Sequence, residues 1–290
     1  MEYNLSDKKT IDRILKEENF TFKKSLGQNF LTDPSVCPKM AEASVSKNSG
    51  VIEIGPGIGV LTAELAKRAR KVVAVELDER LRPVLKKTLS DFNNVTVIFG
   101  DVMKLDLLKV IEEEFSNCDF VSVCANLPYY ITSPIVMSLL EKKLPITSVT
   151  VMVQKEAGER LCAEIPSRKC GAVTLAAAYY ANSEILFNVG RGSFTPSPNV
   201  DSCVIKLDIR KKPAVATKDE QFFFKLIKAA YMHRRKTLVN SVSSCGIADK
   251  DSVIKALEEV GIKSTVRAEE LSLEDFAKLG DFIKKQRDST

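Results

Sequence analysis

Asn126, Leu127, Pro128 and Tyr129 are the residues with the most chemical content in this 290-residue chain, and they directly follow the apolar run 120–125. An Asn side-chain oxygen can accept a hydrogen bond from an exocyclic amine, and an aromatic ring beside it can stack on a planar base. A rigid Pro between them fixes their relative placement. The set points to methyl transfer to adenine, with Asn126 holding the amine and Tyr129 stacking on an extruded base. Phe194, which opens the Pro-rich stretch Phe194-Thr195-Pro196-Ser197-Pro198, offers a second stacking face; the alternative is a core anchor beneath that loop. An adenine amine is a poor nucleophile because its lone pair is delocalised into the ring, so orientation and electrostatics must carry the rate.

A second group of residues suits a nucleoside cofactor. The turn Gly55-Pro56-Gly57-Ile58-Gly59 lies between the apolar run 51–54 and a helical pattern, and such glycines let the backbone approach a ligand closely. Its spacing differs from that of the dinucleotide fingerprint. Glu76 ends the next apolar run, placed for ribose hydroxyls, and Gly100-Asp101 ends the third, where Asp101 can accept from a cofactor's adenine amine. The bland alternatives are a surface acid for Glu76 and a helix cap for Asp101. The lone histidine, His233, sits beside Arg234 and Arg235 far along the chain and fits a surface or RNA-backbone contact better than a general base. Seven Cys (37, 118, 124, 162, 170, 203, 245) are scattered without a CxxC pair, so neither a zinc site nor a disulfide framework has usable spacing.

Positioning these residues requires an α/β framework. Apolar runs at 51–54, 72–77, 95–99, 120–125 and 149–153 alternate with helical patterns, the signature of a mostly parallel sheet with crossover helices. Residues 155–180 read as one helix, 184–189 and 202–209 as two more strands, making seven. A linker at 210–218 contains Pro213, and the C-terminal remainder reads as helices at 221–242, 250–260 and 273–286. The expected organisation is a catalytic domain over 1–209, with 1–22 a flexible or helical extension, and a small helical domain over 210–290. No stretch is long and apolar enough for a membrane span, no signal peptide is visible, and a cytoplasmic location is the expectation. Residues 210–290 hold 17 Lys and Arg against 12 Asp and Glu, which accounts for the whole net charge of +5. A basic appendage on a neutral catalytic domain reads as a grip on a polyanion.

Together with Asn126 to Tyr129, the motifs Leu26-Gly27-Gln28-Asn29-Phe30-Leu31, Phe194 through Ser202 and Arg234-Arg235-Lys236-Thr237-Leu238 stand in an order that resembles the adenosine dimethyltransferases of small-subunit ribosomal RNA. The resemblance runs from about Lys23 to the C-terminal helices. It implies a Rossmann-like class I methyltransferase domain, S-adenosylmethionine as cofactor, and dimethylation of two adjacent adenosines near the RNA's 3′ end. It also implies a cofactor site of Gln28, Asn29, Leu31, Gly55, Gly57, Glu76, Asp101, Val102 and Asn126. Lys23, Lys24, Arg234, Arg235 and Lys236 are then candidate RNA contacts; for the last three the alternatives are a solvated face or packing on the catalytic domain. The implied partner is small-subunit ribosomal RNA in the subunit or its precursor, bound by a monomer without metal. Two rivals share these residues: an adenine methylase of DNA or of large-subunit ribosomal RNA, and a non-catalytic assembly or transcription factor on the same fold.

Overall fold

The structure is a computed structural model that describes residues 5, 7–18, 20, 30–128, 131–195 and 197–288. Its sheet elements are β1 (Phe30–Leu31), β2 (Ser49–Ile54), β3 (Lys71–Glu76), β4 (Val95–Phe99), β5 (Phe120–Asn126), β6 (Ser148–Gln154), β7 (Ala181–Val189), β8 (Phe194–Thr195) and β9 (Ser202–Ile209). Seven of them form one sheet in the order β4-β3-β2-β5-β6-β9-β7. Pairings from β4 through β6 are parallel, and β9 runs antiparallel to β6. Every residue of β2 is buried, as are the interior residues of β3, β5 and β6. Continuous apolar burial is what parallel strands covered on both faces require. The chain therefore has the expected Rossmann-like α/β fold.

The helices are α1 (Lys8–Glu17), α2 (Val36–Ser44), α3 (Val60–Ala66), α4 (Arg82–Thr88), α5 (Leu107–Glu114), α6 (Thr132–Glu141), α7 (Lys155–Leu161), α8 (Ala172–Tyr180), α9 (Glu220–Met232), α10 (Leu238–Ser244), α11 (Lys250–Glu259) and α12 (Leu273–Asp288). On one side of the sheet, Met40 and Ala41 of α2 and Leu61 and Leu65 of α3 pack with Val51, Cys124 and Met152. Elsewhere Ile11, Ile14 and Leu15 of α1 join Ile58, Leu81, Val84 and Leu85, so the described part of the N-terminal extension includes a helix, Lys8–Glu17, with a buried face. Side-chain caps fix several helix starts: Asp7 accepts from Thr10 N at 3.0 Å, Asp106 from Lys109 N at 3.1 Å, and Asp219 from Phe222 N at 2.9 Å.

Three details depart from the sequence expectation. Residues 155–180 are two helices, because 162–171 form a loop that contains Pro166 and closes on itself: the Cys170 thiol donates to the Glu164 carbonyl at 3.0 Å. Residues 221–242 also break, at the turn 233–237, where Lys236 N donates to His233 O at 2.8 Å and Thr237 caps α10. The two-stranded sheet of β1 and β8, with Leu31 opposite Phe194, had no signature in either short segment.

By proximity of the backbone the chain divides into two compact units, Met1–Gly158 with Glu184–Ile209, and Glu159–Ser183 with Arg210–Thr290. The second unit has its own core: Phe223, Leu226, Phe276 and Leu279 are fully buried, and Tyr231 stacks on Phe276 with ring centroids 6.3 Å apart. Its helical segment α8 contributes Tyr179 and Tyr180, whose hydroxyls both donate to the Glu220 carboxylate. Among the described residues no helix is long and apolar enough to cross a membrane.

Candidate active site

Strand order reverses about β2, with β3 and β4 on one side and β5 and β6 on the other. In open α/β sheets this is where the loops beyond the strand ends part and leave a crevice. A cavity of about 450 Å³ lies there, lined from the ends of β2, β3 and β5, the segment after β4, and the β1/β8 ribbon. Pockets for small ligands run from roughly 300 to 1,000 Å³.

The glycine turn builds the floor. Gly57 has φ +58° and Gly59 φ +93°, a left-handed backbone that costs glycine nothing and strains other residues. A Cβ on Gly59 would also lie 3.0 Å from Leu89 Cδ2. With the chain turned this way, Gly57 N donates to Glu76 Oε2 at 3.2 Å while Asp78 N donates to Oε1 at 2.8 Å. Glu76 is only 6% exposed. Burial pushes its pKa up, the two backbone donors pull the other way, and the Asp78 charge adds to the rise. The result is a fixed, partly desolvated carboxyl aimed at the cavity, suited to donors such as ribose hydroxyls. Beside it Gly100 N donates to Glu76 O at 2.8 Å, and Asp101 accepts from Met103 N at 3.0 Å.

On the opposite wall, β5 ends at Asn126, and the turn after it is anchored by the Pro128 carbonyl, which accepts from Ile131 N at 3.1 Å and Thr132 Oγ1 at 3.2 Å. Phe194 is 5% exposed, lines the cavity and also belongs to the core cluster under it, so cavity wall and core anchor are one residue. Of the expected site residues, Leu31, Gly55, Gly57, Glu76, Asp101, Val102, Asn126 and Phe194 converge on this one cavity. Lys23, Lys24, Gln28, Asn29 and Tyr129 lie outside the described residues. Arg234, Arg235 and Lys236 are exposed in the second unit.

Several lining residues were not anticipated. Leu77 and Met103 line the cavity while remaining 57% and 43% exposed, apolar surface well matched to a planar ring. Leu77 could have been found as the residue after the acid that ends β3. Glu53, one strand over, is 1% exposed, lines the cavity, and has an Oε2 with no hydrogen-bond partner among the described residues. Burial, reinforced by the Glu76 charge, pushes its pKa up to about 8. Its one sequence signal is an acid inside an apolar run, Val51-Ile52-Glu53-Ile54, of the kind that forms a strand covered on both faces. The thiols nearby are not nucleophiles: burial pushes Cys37 well up and Cys124 up to about 12. Among the described residues no cluster of His, Cys, Asp and Glu could hold a metal ion.

Because its pKa is raised on folding, Glu53 stabilises the fold relative to its charged form only while protonated. Stability should be fully present below about pH 4.5, fall as pH rises, and finish falling near pH 8. Glu53→Gln removes the titration. The variant's stability is therefore expected to match wild type near pH 5 and to exceed it progressively toward pH 8, by an amount on the order of a few kcal/mol. Parallel melting curves against pH for the two proteins would exclude a buried, proton-binding Glu53.

A sequence profile of the family described as ribosomal RNA adenine dimethylase matches residues 19–285. The chain belongs to that family. Relatives named ribosomal RNA small subunit methyltransferase A include one from Bacillus licheniformis, 48% identical over 276 residues and 94% of each chain. Another, from Streptococcus thermophilus, is 46% identical over 286 residues, 97% of this chain and 98% of the relative. Among solved structures, a dimethyladenosine transferase from Plasmodium falciparum superposes with a TM-score of 0.71 at 27% identity, covering 86% of this chain and 95% of its own. The 23S ribosomal RNA methyltransferase ErmE, at 24% identity and a TM-score of 0.66, shares the fold over 88% of this chain and all of its own. In this adenine dimethylase, the residues at the cavity fit S-adenosylmethionine: glycines open the floor, a fixed acid faces it, apolar side chains flank the mouth, and a second acid has an unmet oxygen.

Proposed function

We propose that this protein is an S-adenosylmethionine-dependent ribosomal RNA adenine dimethyltransferase that modifies the exocyclic amines of two adjacent adenosines near the 3′ end of small-subunit RNA. The observation that carries this reading is the convergence of Glu76, Asp101, the glycine turn and Asn126 on one cavity at the sheet's switch point, within a chain whose family and relatives are those above. The cofactor, when bound, supplies a methyl group activated by a positively charged sulfur. Glu76 would hold the ribose hydroxyls, Asp101 the cofactor's adenine amine, and Leu77, Val102 and Met103 the faces and edge of that ring.

For the target base, the Asn126 side-chain oxygen accepts from the amine. The Pro128 carbonyl has both lone pairs engaged by Ile131 and Thr132, which leaves the Leu127 carbonyl as the neighbouring backbone acceptor. Two acceptors orient the nitrogen and stabilise the positive charge that develops on it. Phe194 and Tyr129 supply stacking, worth on the order of 1–3 kcal/mol per base, comparable to the few kcal/mol that extrusion costs. No His or thiol base is poised at the cavity among the described residues, consistent with a proton lost to solvent after transfer. The protein would act as a cytoplasmic monomer on the small subunit or its precursor, with the C-terminal helices gripping RNA and a role in subunit maturation.

The test is incorporation of labelled methyl groups into purified small subunits that lack the modification, followed by digestion and mass analysis of the RNA. A pair of dimethyladenosines near the 3′ end is expected. Methylation of large subunits or DNA instead, or binding without transfer, would replace this reading with one of its rivals.

A further inference from the structure

The Arg234-Arg235-Lys236 run does not present three equivalent cations. Its first guanidinium is committed: Arg234 Nη2 donates to the Arg168 carbonyl at 2.8 Å and to the Cys170 carbonyl at 3.4 Å. Both carbonyls belong to the loop 162–171, in the same compact unit. That loop is tied from within as well. Cys170, fully buried, donates its thiol to Glu164 O, and Cys170 N donates to Ser167 O at 3.0 Å. Its far end is pinned where Thr174 Oγ1 donates to Arg160 O at 2.6 Å. On the other side, the turn 233–237 is fixed by His233 N donating to Ser241 Oγ and by Leu238 N donating to Val266 O.

Arg234 therefore brings together two segments that are 66 residues apart in the chain. Segments 164–170 and 233–237 together hold five Lys and Arg and a single carboxylate, Glu164. Lys169 is matched by Glu159 at 3.3 Å. Arg168, Arg235 and Lys236 are exposed, and among the described residues their side chains have no ion-pair partner. Three unmatched cations held on two hydrogen-bonded turns, joined by a fourth whose charge is also retained, match a row of closely spaced anions better than a single acidic side chain.

We propose that the loop 164–170 and the turn 233–237 form one surface for an RNA phosphate backbone, with Arg168, Arg235 and Lys236 meeting phosphates and Arg234 positioning the loop that carries Arg168. The inference rests on the reading of small-subunit RNA as substrate. It adds a segment that neither charge counting nor motif order singled out, and it changes the role of Arg234 from contact to clamp. An arginine suits that task because its planar fork donates to two carbonyls at once, whereas an ammonium is a point charge.

The experiment measures binding of the full chain to purified small subunits across a potassium chloride series, with a melting curve for each variant. Arg168→Gln, Arg235→Gln and Lys236→Gln should each flatten the log–log salt dependence by roughly 0.7–0.9 per contact and leave the melting midpoint unchanged, because each lost phosphate contact releases fewer counterions. Arg234→Gln should flatten the slope too, and in that background Arg168→Gln should flatten it no further, since the loop is already released. Arg234→Lys should behave like Arg234→Gln if the clamp is what matters. Additive slopes for Arg234 and Arg168 would make Arg234 a phosphate contact and overturn its positioning role. If Arg235→Gln and Lys236→Gln alter the slope and Arg168→Gln does not, the loop is no part of the surface and the proposal fails while the reading of function stands. Absence of methyl transfer by the unaltered protein would overturn the reading of function itself, and this surface with it.

Discussion

Asn126→Ala is expected to remove most methyl transfer while leaving binding to small subunits nearly intact. The amide sits at the end of β5 on the cavity wall, so its substitution alters no strand pairing and removes no cationic side chain. In the proposed role it removes an acceptor whose value grows as charge builds on the amine nitrogen. Losing one such preorganised group typically costs about 10²–10³ in turnover. The Leu127 carbonyl would still orient the amine, which sets the residual rate. Asn126→Asp separates the two parts of the amide, because it keeps acceptor oxygens and loses the donor; partial activity there, against near-silence in Asn126→Ala, is the expected pattern. Turnover of Asn126→Ala within a few-fold of wild type, with folding and cofactor affinity unchanged, would take Asn126 out of the chemistry.

The second large effect is expected at Glu76. Its carboxylate is anchored by Gly57 N and Asp78 N, and its remaining acceptor capacity faces the cavity. Hydrogen bonds to a charged group contribute about 1.5–3 kcal/mol each, so Glu76→Ala should weaken S-adenosylmethionine binding by roughly 10²-fold or more. The same substitution leaves two backbone donors without their acceptor, and some loss of order in the glycine turn adds to the effect. Glu76→Gln retains an acceptor for one donor and should fall between. Because Glu76→Ala orphans two N–H groups at a buried carboxylate, some fall in the melting midpoint of the ligand-free protein is expected, and affinity is compared only on variants shown to be folded. Calorimetry that finds unchanged affinity in folded Glu76→Ala would sink the ribose assignment.

Much of this protein was legible in one dimension. The order of buried strands, the glycine turn, the acid at the end of β3 and the Asn126 motif are local features, each set by a few neighbouring residues. Parallel strands covered on both faces must be apolar throughout, so β2, β3, β5 and β6 announce themselves. Strand ends in such a sheet share one edge, which is why residues as distant in sequence as Gly55, Glu76, Asp101 and Asn126 line one cavity.

What only the tertiary structure decided depends on contacts between segments that carry no mark of each other. Leu31 and Phe194 pair across two strands of two residues each, too short for periodicity to register. Pro166 and Gly171 mark a break within 155–180 that the single-helix reading passes over, but only the tertiary structure shows a thiol-to-carbonyl bond and Arg234 holding 162–171 as a loop. Glu53 is an acid inside an otherwise apolar run, and only the closure of α2 and α3 over the sheet strips its carboxyl of water and raises its pKa. Arg234 looked like its neighbours because charge is a property of the residue. Whether that charge faces solvent or a backbone carbonyl 66 residues away is a property of the fold.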